Sequence, residues 1–214
     1  MAVDEIYKDI IQKRPSVVYV SGKTSTGKST FARKLQDDLG YYVIELEAVL
    51  LEIVKGYGFE EQSTFRKVLY DSGEFAEKVL FIEATDKVMA DVINQGLPIV
   101  IESAVANVET LQRILKPASN LFFLYFHPNI ADVYVRNLTN RFMQSGKESY
   151  GGLPLKFWRF IDDKEFKQFC TTRELSNDLK SSIRQYALTS QEESLTRLNE
   201  FRQKFSNIVV VEIQ

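Results

Sequence analysis

The sequence predicts an α/β domain built on one doubly wound, five-stranded parallel sheet, with helices on both faces and a lid segment. Three observations predict it. Short apolar runs at 17–20, 41–46, 99–101, 121–126 and 208–211 alternate with segments whose apolar residues recur at helical spacing. The runs are continuously apolar, as strands covered on both faces are. A glycine-bearing loop at 22–27 joins the first run to a helical segment, so strand, loop and helix follow one another directly.

The elements follow in order. Ile6, Ile10 and Ile11 lie at helical spacing in 3–13, and Pro15 closes that helix before Val17-Val18-Tyr19-Val20. After the loop, Phe31, Leu35 and Leu39 recur every four residues and share one helical face until Gly40 ends it. Tyr41 to Leu46 reads as the second strand and 48–54 as a short helix broken by Gly56 and Gly58. Residues 73–94 carry Phe75, Val79, Ile82, Val88 and Val92 at helical spacing and lead through Gly96 and Pro98 into the third strand. A helix near 107–115 is expected next. The fourth strand stops at His127-Pro128, and Ile130, Tyr134, Leu138 and Phe142 then form a four-residue ladder. Residues 144–153 are Gly-rich and polar and open a candidate lid at 144–160. The remainder, 161–206, reads as a helical C-terminal part, its last helix opened by Ser190 as N-cap with Glu193 three residues on.

Composition bounds the function. The 214 residues are enough for one domain with a substantial core, and no linker or repeat divides 1–214. A net charge of −2 supplies no basic field, so nucleic acid is not an expected partner. Cys170 is the only cysteine and His127 the only histidine, which excludes an internal disulfide and a zinc-type ligand cluster. Residues 1–15 mix charges among their apolar positions, and no run reaches the ~20 apolar residues that cross a bilayer. The expectation is a cytoplasmic protein without membrane contact.

The chemistry is carried by Gly22-Lys23-Thr24-Ser25-Thr26-Gly27-Lys28-Ser29, which fits G-x-x-x-x-G-K-[ST] without deviation and sits between strand and helix. Gly22 and Gly27 let the backbone turn so that successive N–H groups line a concavity at a helix N-terminus, an anion hole. Lys28 brings a charge to β- and γ-phosphates, Ser29 is the expected Mg²⁺ ligand, and Thr30 is placed to reach an α-phosphate. Lys23, Thr24, Ser25 and Thr26 contribute mainly backbone contacts. The expected cofactors are therefore ATP, or another nucleoside triphosphate, and Mg²⁺.

Such a loop specifies a nucleotide rather than a reaction. The chain has no N-K-x-D sequence for guanine and no L-S-G-G-Q tract, and its third strand ends in Glu102-Ser103 rather than in the paired acids common in remodelling ATPases. Ligands of doubly wound sheets lie at the carboxyl ends of the strands, where Glu45, Glu47 and Glu102 fall. A carboxylate there can accept the proton of an attacking hydroxyl or hold a Mg²⁺-bound water. Arg136 and Arg141 precede the candidate lid and Lys147 and Arg159 fall within it, and arginines on a closing segment neutralise a transferring phosphoryl group. Arg141 and Arg159 are the favoured pair.

With these residues the sequence resembles, over about residues 16–160, the small-molecule kinases of the zeta-toxin and chloramphenicol-phosphotransferase type. The loop matches at 22–29, and Glu47 stands where that family usually has an Asp acting as base toward the substrate hydroxyl. Ile99-Val100-Ile101-Glu102-Ser103 resembles its I-I-E-G-T stretch, whose acid helps bind substrate. Pro128, Arg141, Gly146, Gly151-Gly152, Pro154 and Arg159 follow its order of proline, helix, arginine, Gly-rich turn, proline and arginine. The resemblance implies a P-loop fold of kinase type and an ATP- and Mg²⁺-dependent phosphotransferase. Its acceptor would be a hydroxyl of a small molecule such as a nucleotide sugar, metabolite or antibiotic. Nucleoside, nucleotide or shikimate-type kinases share the first half of the pattern. A catalytically inactive nucleotide-binding module, or a toxin held by an inhibitor protein, are the readings from other classes.

Overall fold

The structure is a computed structural model and describes residues 3–46, 48–49, 96–103, 121–144, 163–205 and 208–212. Helix α1 (Val3–Lys13) precedes β1 (Val17–Gly22), α2 (Lys28–Leu39) and β2 (Tyr42–Glu45). Strands β3 (Ile99–Ser103) and β4 (Leu121–His127) follow, then helices α3 (Ala131–Gln144), α4 (Asp163–Thr172) and α5 (Asn177–Lys204), and finally β5 (Ile208–Glu212). The five strands form one sheet in the order β2-β3-β1-β4-β5, and every pairing is parallel.

Two apolar layers account for the unbroken apolar runs. Val17 and Tyr19 of β1 point to one face with Ile99, Ile101, Phe123 and Tyr125, where Leu198 and Phe201 of α5 cover them. Val18 and Val20 point to the other face, covered by Ile6 and Ile10 of α1 and by Phe31, Ala32 and Leu35 of α2. Fully burying such side chains contributes roughly 1.5–3 kcal/mol each, which is why β1 tolerates no polar residue before Ser21. Phe123 meets Tyr19 and Phe201 edge-on, with ring centroids 5.4 and 5.6 Å apart. A separate cluster joins Tyr134, Leu138 and Phe142 of α3, Phe169 of α4, and Leu179, Ile183 and Tyr186 of α5. Helix α5 thus belongs to two cores, with its C-terminal half on the sheet and its N-terminal half against α3 and α4.

Several expectations are corrected. Ser190 does not begin a helix: the N-cap of α5 lies fourteen residues earlier, where the Ser176 hydroxyl accepts the Leu179 N–H at 3.0 Å, and Ser190 lies buried mid-helix. Ile130 stands ahead of α3 and is exposed, so the apolar ladder has three members, not four. Ile11 is likewise exposed while Ile6 and Ile10 are buried. The second strand is shorter than 41–46. Tyr41 precedes it with its hydroxyl donating to the Pro15 carbonyl at 2.8 Å, and helix begins at Leu46. The helices expected over 73–94 and 107–115 and the lid at 144–160, apart from the end of α3, lie outside the described residues.

Candidate functional site

Parallel strands place their carboxyl ends on one edge, and β1, β3 and β4 bring three segments together there. Val20 pairs with Glu102, Ser21 with Ser103, and Gly22 with Phe126. Gly22 is the last residue of β1, with φ +137°, and a Cβ placed on it would come 2.3 Å from the Phe126 carbonyl oxygen. Its first task is therefore a close approach to β4, which only glycine permits. Gly27 caps α2 with φ +92°, a left-handed conformation that turns the loop into the helix, and its carbonyl accepts the Phe31 N–H at 3.0 Å.

Between these glycines the loop folds on the Lys23 carbonyl. Thr26 Oγ1 donates to it at 2.7 Å and Lys28 Nζ at 2.9 Å. Lys28 is buried, so its ammonium is held inside the loop rather than displayed outside. Ser25 has φ +63°, and its buried hydroxyl has no hydrogen-bond partner among the described residues. A buried hydroxyl left unmatched in this loop is what a phosphate oxygen would satisfy. Thr30, one turn into the helix start, is exposed, and Thr24 is half-buried.

Ser29 Oγ donates a 2.8 Å hydrogen bond to Glu102 Oε1. Glu102 is buried at the end of β3 and therefore approaches α2 from beneath the loop. The two oxygens are hard donors of the kind that Mg²⁺ takes alongside waters and phosphates, so the residues fit that ion: Ser29 as direct ligand and Glu102 as the acceptor of its bound water. Glu102 is thus hydrogen-bonded to the residue expected to hold Mg²⁺. The sequence resemblance points it at the substrate.

The remaining sequence-predicted residues separate into two groups. Arg141 lies near the end of α3, exposed, and its charge eases the pKa of Tyr134 and Tyr186 downward against the larger upward effect of their burial. Burial pushes the Tyr186 hydroxyl up to about 12. Arg136 is exposed on the same unbroken helix, so Arg136 and Arg141 point different ways. Glu47, Lys147 and Arg159 lie outside the described residues, and Glu45 is exposed at the end of β2.

Two connections had no signal in the sequence. Lys23 Nζ pairs with Glu193 Oε2 of α5 at 2.5 Å, and Asn137 Nδ2 of α3 donates to the Ser25 carbonyl at 3.4 Å. Beside them, His127 is a buried strand residue, its Nδ1 2.9 Å from Ser194 Oγ, with the Tyr125 hydroxyl 3.2 Å from the same oxygen. Burial holds the imidazole below its ordinary pKa.

The sheet, the loop and the Ser29–Glu102 contact define a P-loop NTPase domain. The chain belongs to the ATPase family associated with various cellular activities (AAA), which matches residues 18–145. The lack of paired acids after β3, which in the sequence points away from remodelling ATPases, does not take the chain out of that family. No curated protein matches the chain. Among solved structures it is similar to a gluconokinase from Sinorhizobium meliloti 1021, at 15% identity and TM-score 0.48, over 93% of this chain and 83% of that one. It is also similar to a sugar kinase from Janibacter sp. HTCC2649, at 18% identity and TM-score 0.43, over 86% and 94%. At those scores neither likeness bears on the chemistry. No helix among the described residues is long and apolar enough to cross a membrane.

Proposed function

We propose that this P-loop NTPase domain is an ATP- and Mg²⁺-dependent phosphotransferase whose acceptor is a hydroxyl of a small molecule, of the nucleotide-sugar, metabolite or antibiotic class. The observation that carries the reading is the Ser29–Glu102 hydrogen bond, which sets one carboxylate beside the expected Mg²⁺ ligand. In that arrangement the loop amides and Lys28 hold the β- and γ-phosphates. Mg²⁺, when bound, supplies neutralisation of phosphate charge. Glu47 accepts the proton as the acceptor oxygen attacks the γ-phosphorus and the bond to the β–γ bridging oxygen breaks, releasing ADP. Arg141 and Arg159 meet the charge on the transferring group. The cytoplasm, where Mg-ATP is abundant, is the proposed compartment, and an antitoxin-like inhibitor is the proposed protein partner.

Membership of the AAA family favours a second reading, in which water replaces the acceptor and the reaction is ATP hydrolysis. One assay separates them. ADP and inorganic phosphate are measured together with Mg-ATP alone and with a panel of hydroxyl acceptors. Acceptor-dependent ADP without matching phosphate supports transfer, and equal ADP and phosphate independent of acceptor supports hydrolysis. Lys28→Ala should remove either activity. Glu47→Gln should lower transfer by ~10²–10⁴-fold, the usual worth of a general base, with nucleotide affinity nearly unchanged.

A further inference from the structure

Lys23 is the second residue of the phosphate loop, yet its side chain leaves the loop and ends on Glu193, 170 residues further along the chain. The same residue's carbonyl receives Thr26 Oγ1 and Lys28 Nζ. Lys23 is therefore the point on which the loop's internal hydrogen bonds converge, and Glu193 holds that point from outside. Two residues on, Ser25 stands at positive φ, and Asn137 of α3 donates to its carbonyl. Helices α3 and α5 are in turn packed on one another through Tyr134, Leu138, Ile183 and Tyr186.

We propose that Glu193 is a positioning residue for the phosphate loop, with Asn137 as its counterpart on α3. The pair fixes the loop in its phosphate-receiving shape and ties that shape to the α3–α5 helix unit. Two physical points favour this over an incidental surface pair. The Lys23 side chain is only 18% exposed and that of Glu193 37%, so the contact is partly shielded from solvent. It also acts on a segment with a non-glycine residue in a left-handed conformation, which persists only where its surroundings hold it. Neutralising Glu193 removes the ion pair that ties the Lys23 side chain to α5, and the carbonyl that Lys28 uses is then held less firmly.

The inference rests on the nucleotide-binding reading for its consequence but not for its first test. Hydrogen exchange of the 22–30 segment is measured in the free protein, parent against Glu193→Gln. Exchange in the variant should rise about two- to fivefold, the scale of one partly exposed ion pair. The dissociation constant for Mg-ATP should rise by a similar two- to fivefold. The charge-swapped double variant Lys23→Glu/Glu193→Lys should recover most of the exchange effect, a rescue that a merely structural role for Glu193 would not show, whereas its carboxylate at position 23 opposes phosphate binding and leaves the Mg-ATP affinity low. Unchanged exchange in Glu193→Gln overturns the proposal. So does a rise spread along all of α5 that the swap does not recover. A parent protein that binds no nucleoside triphosphate would overturn the functional reading instead, and loop exchange would still decide the role of Glu193.

Discussion

Ser29 at the start of α2 and Glu102 at the end of β3 are joined by a 2.8 Å hydrogen bond across 73 residues of sequence. The contact follows from topology. β3 lies beside β1 in parallel, so its carboxyl end emerges beneath the loop that β1 feeds. Glu102→Gln keeps an amide oxygen to accept the Ser29 hydroxyl and removes only the charge. If Glu102 orients a Mg²⁺-bound water, the Mg²⁺ concentration for half-maximal activity should rise ~10–100-fold, as when outer-shell partners are lost. Binding of metal-free ATP should change little. A magnesium titration at fixed ATP checks this, and an unchanged midpoint would move Glu102 away from the metal.

Gly22 and Gly27 are both fixed by the motif, but the structure assigns them different costs. A Cβ at Gly22 meets the Phe126 carbonyl at 2.3 Å, where neither strand can retreat without breaking the β1–β4 pairing. A Cβ at Gly27 meets nothing within 4 Å, so only its left-handed φ opposes substitution. Gly27→Ala should therefore cost about 1–2 kcal/mol and Gly22→Ala more than ~3 kcal/mol. Thermal unfolding should show the larger fall in midpoint for Gly22→Ala. Equal falls would mean that the β1–β4 edge yields.

What the sequence discloses here depends on range. The loop is a local pattern with a local cause, and the strands are apolar on both faces, so the parallel sheet and the Lys28 and Ser29 positions are legible without coordinates. Glu102 is legible as an acid at a strand end, but its pairing with Ser29 is not, because that needs the strand order. Ser190 misleads for a physical reason. A serine followed three residues later by glutamate satisfies the capping pattern, yet here the serine is buried against neighbouring helices and the glutamate serves Lys23. The true cap, Ser176, has no acid at the third position to mark it. Long-range ion pairs such as Lys23–Glu193 leave no local periodicity at all.

His127 closes β4, and its behaviour with pH can be worked out from its surroundings. Burial lowers its pKa below the ordinary 6.5, Arg202 adds to the fall and Glu212 opposes it. The folded state thus prefers the neutral ring, while the unfolded chain takes up a proton near pH 6.5. Stability from this group is fully present above about pH 6.5, falls as pH drops through the window below it, and is lost once the pH passes the lower folded pKa. Because the sequence holds one histidine, the slope of thermal stability between pH 7.5 and 5.5 is dominated by this residue. His127→Asn keeps a polar side chain beside Ser194 and removes the titration. The parent's unfolding midpoint should drop across that range through this group, and the variant's curve should be flatter. Parallel curves for parent and variant would show that the imidazole takes up its proton as readily in the fold as in the unfolded chain, and that the Ser194 contact survives protonation.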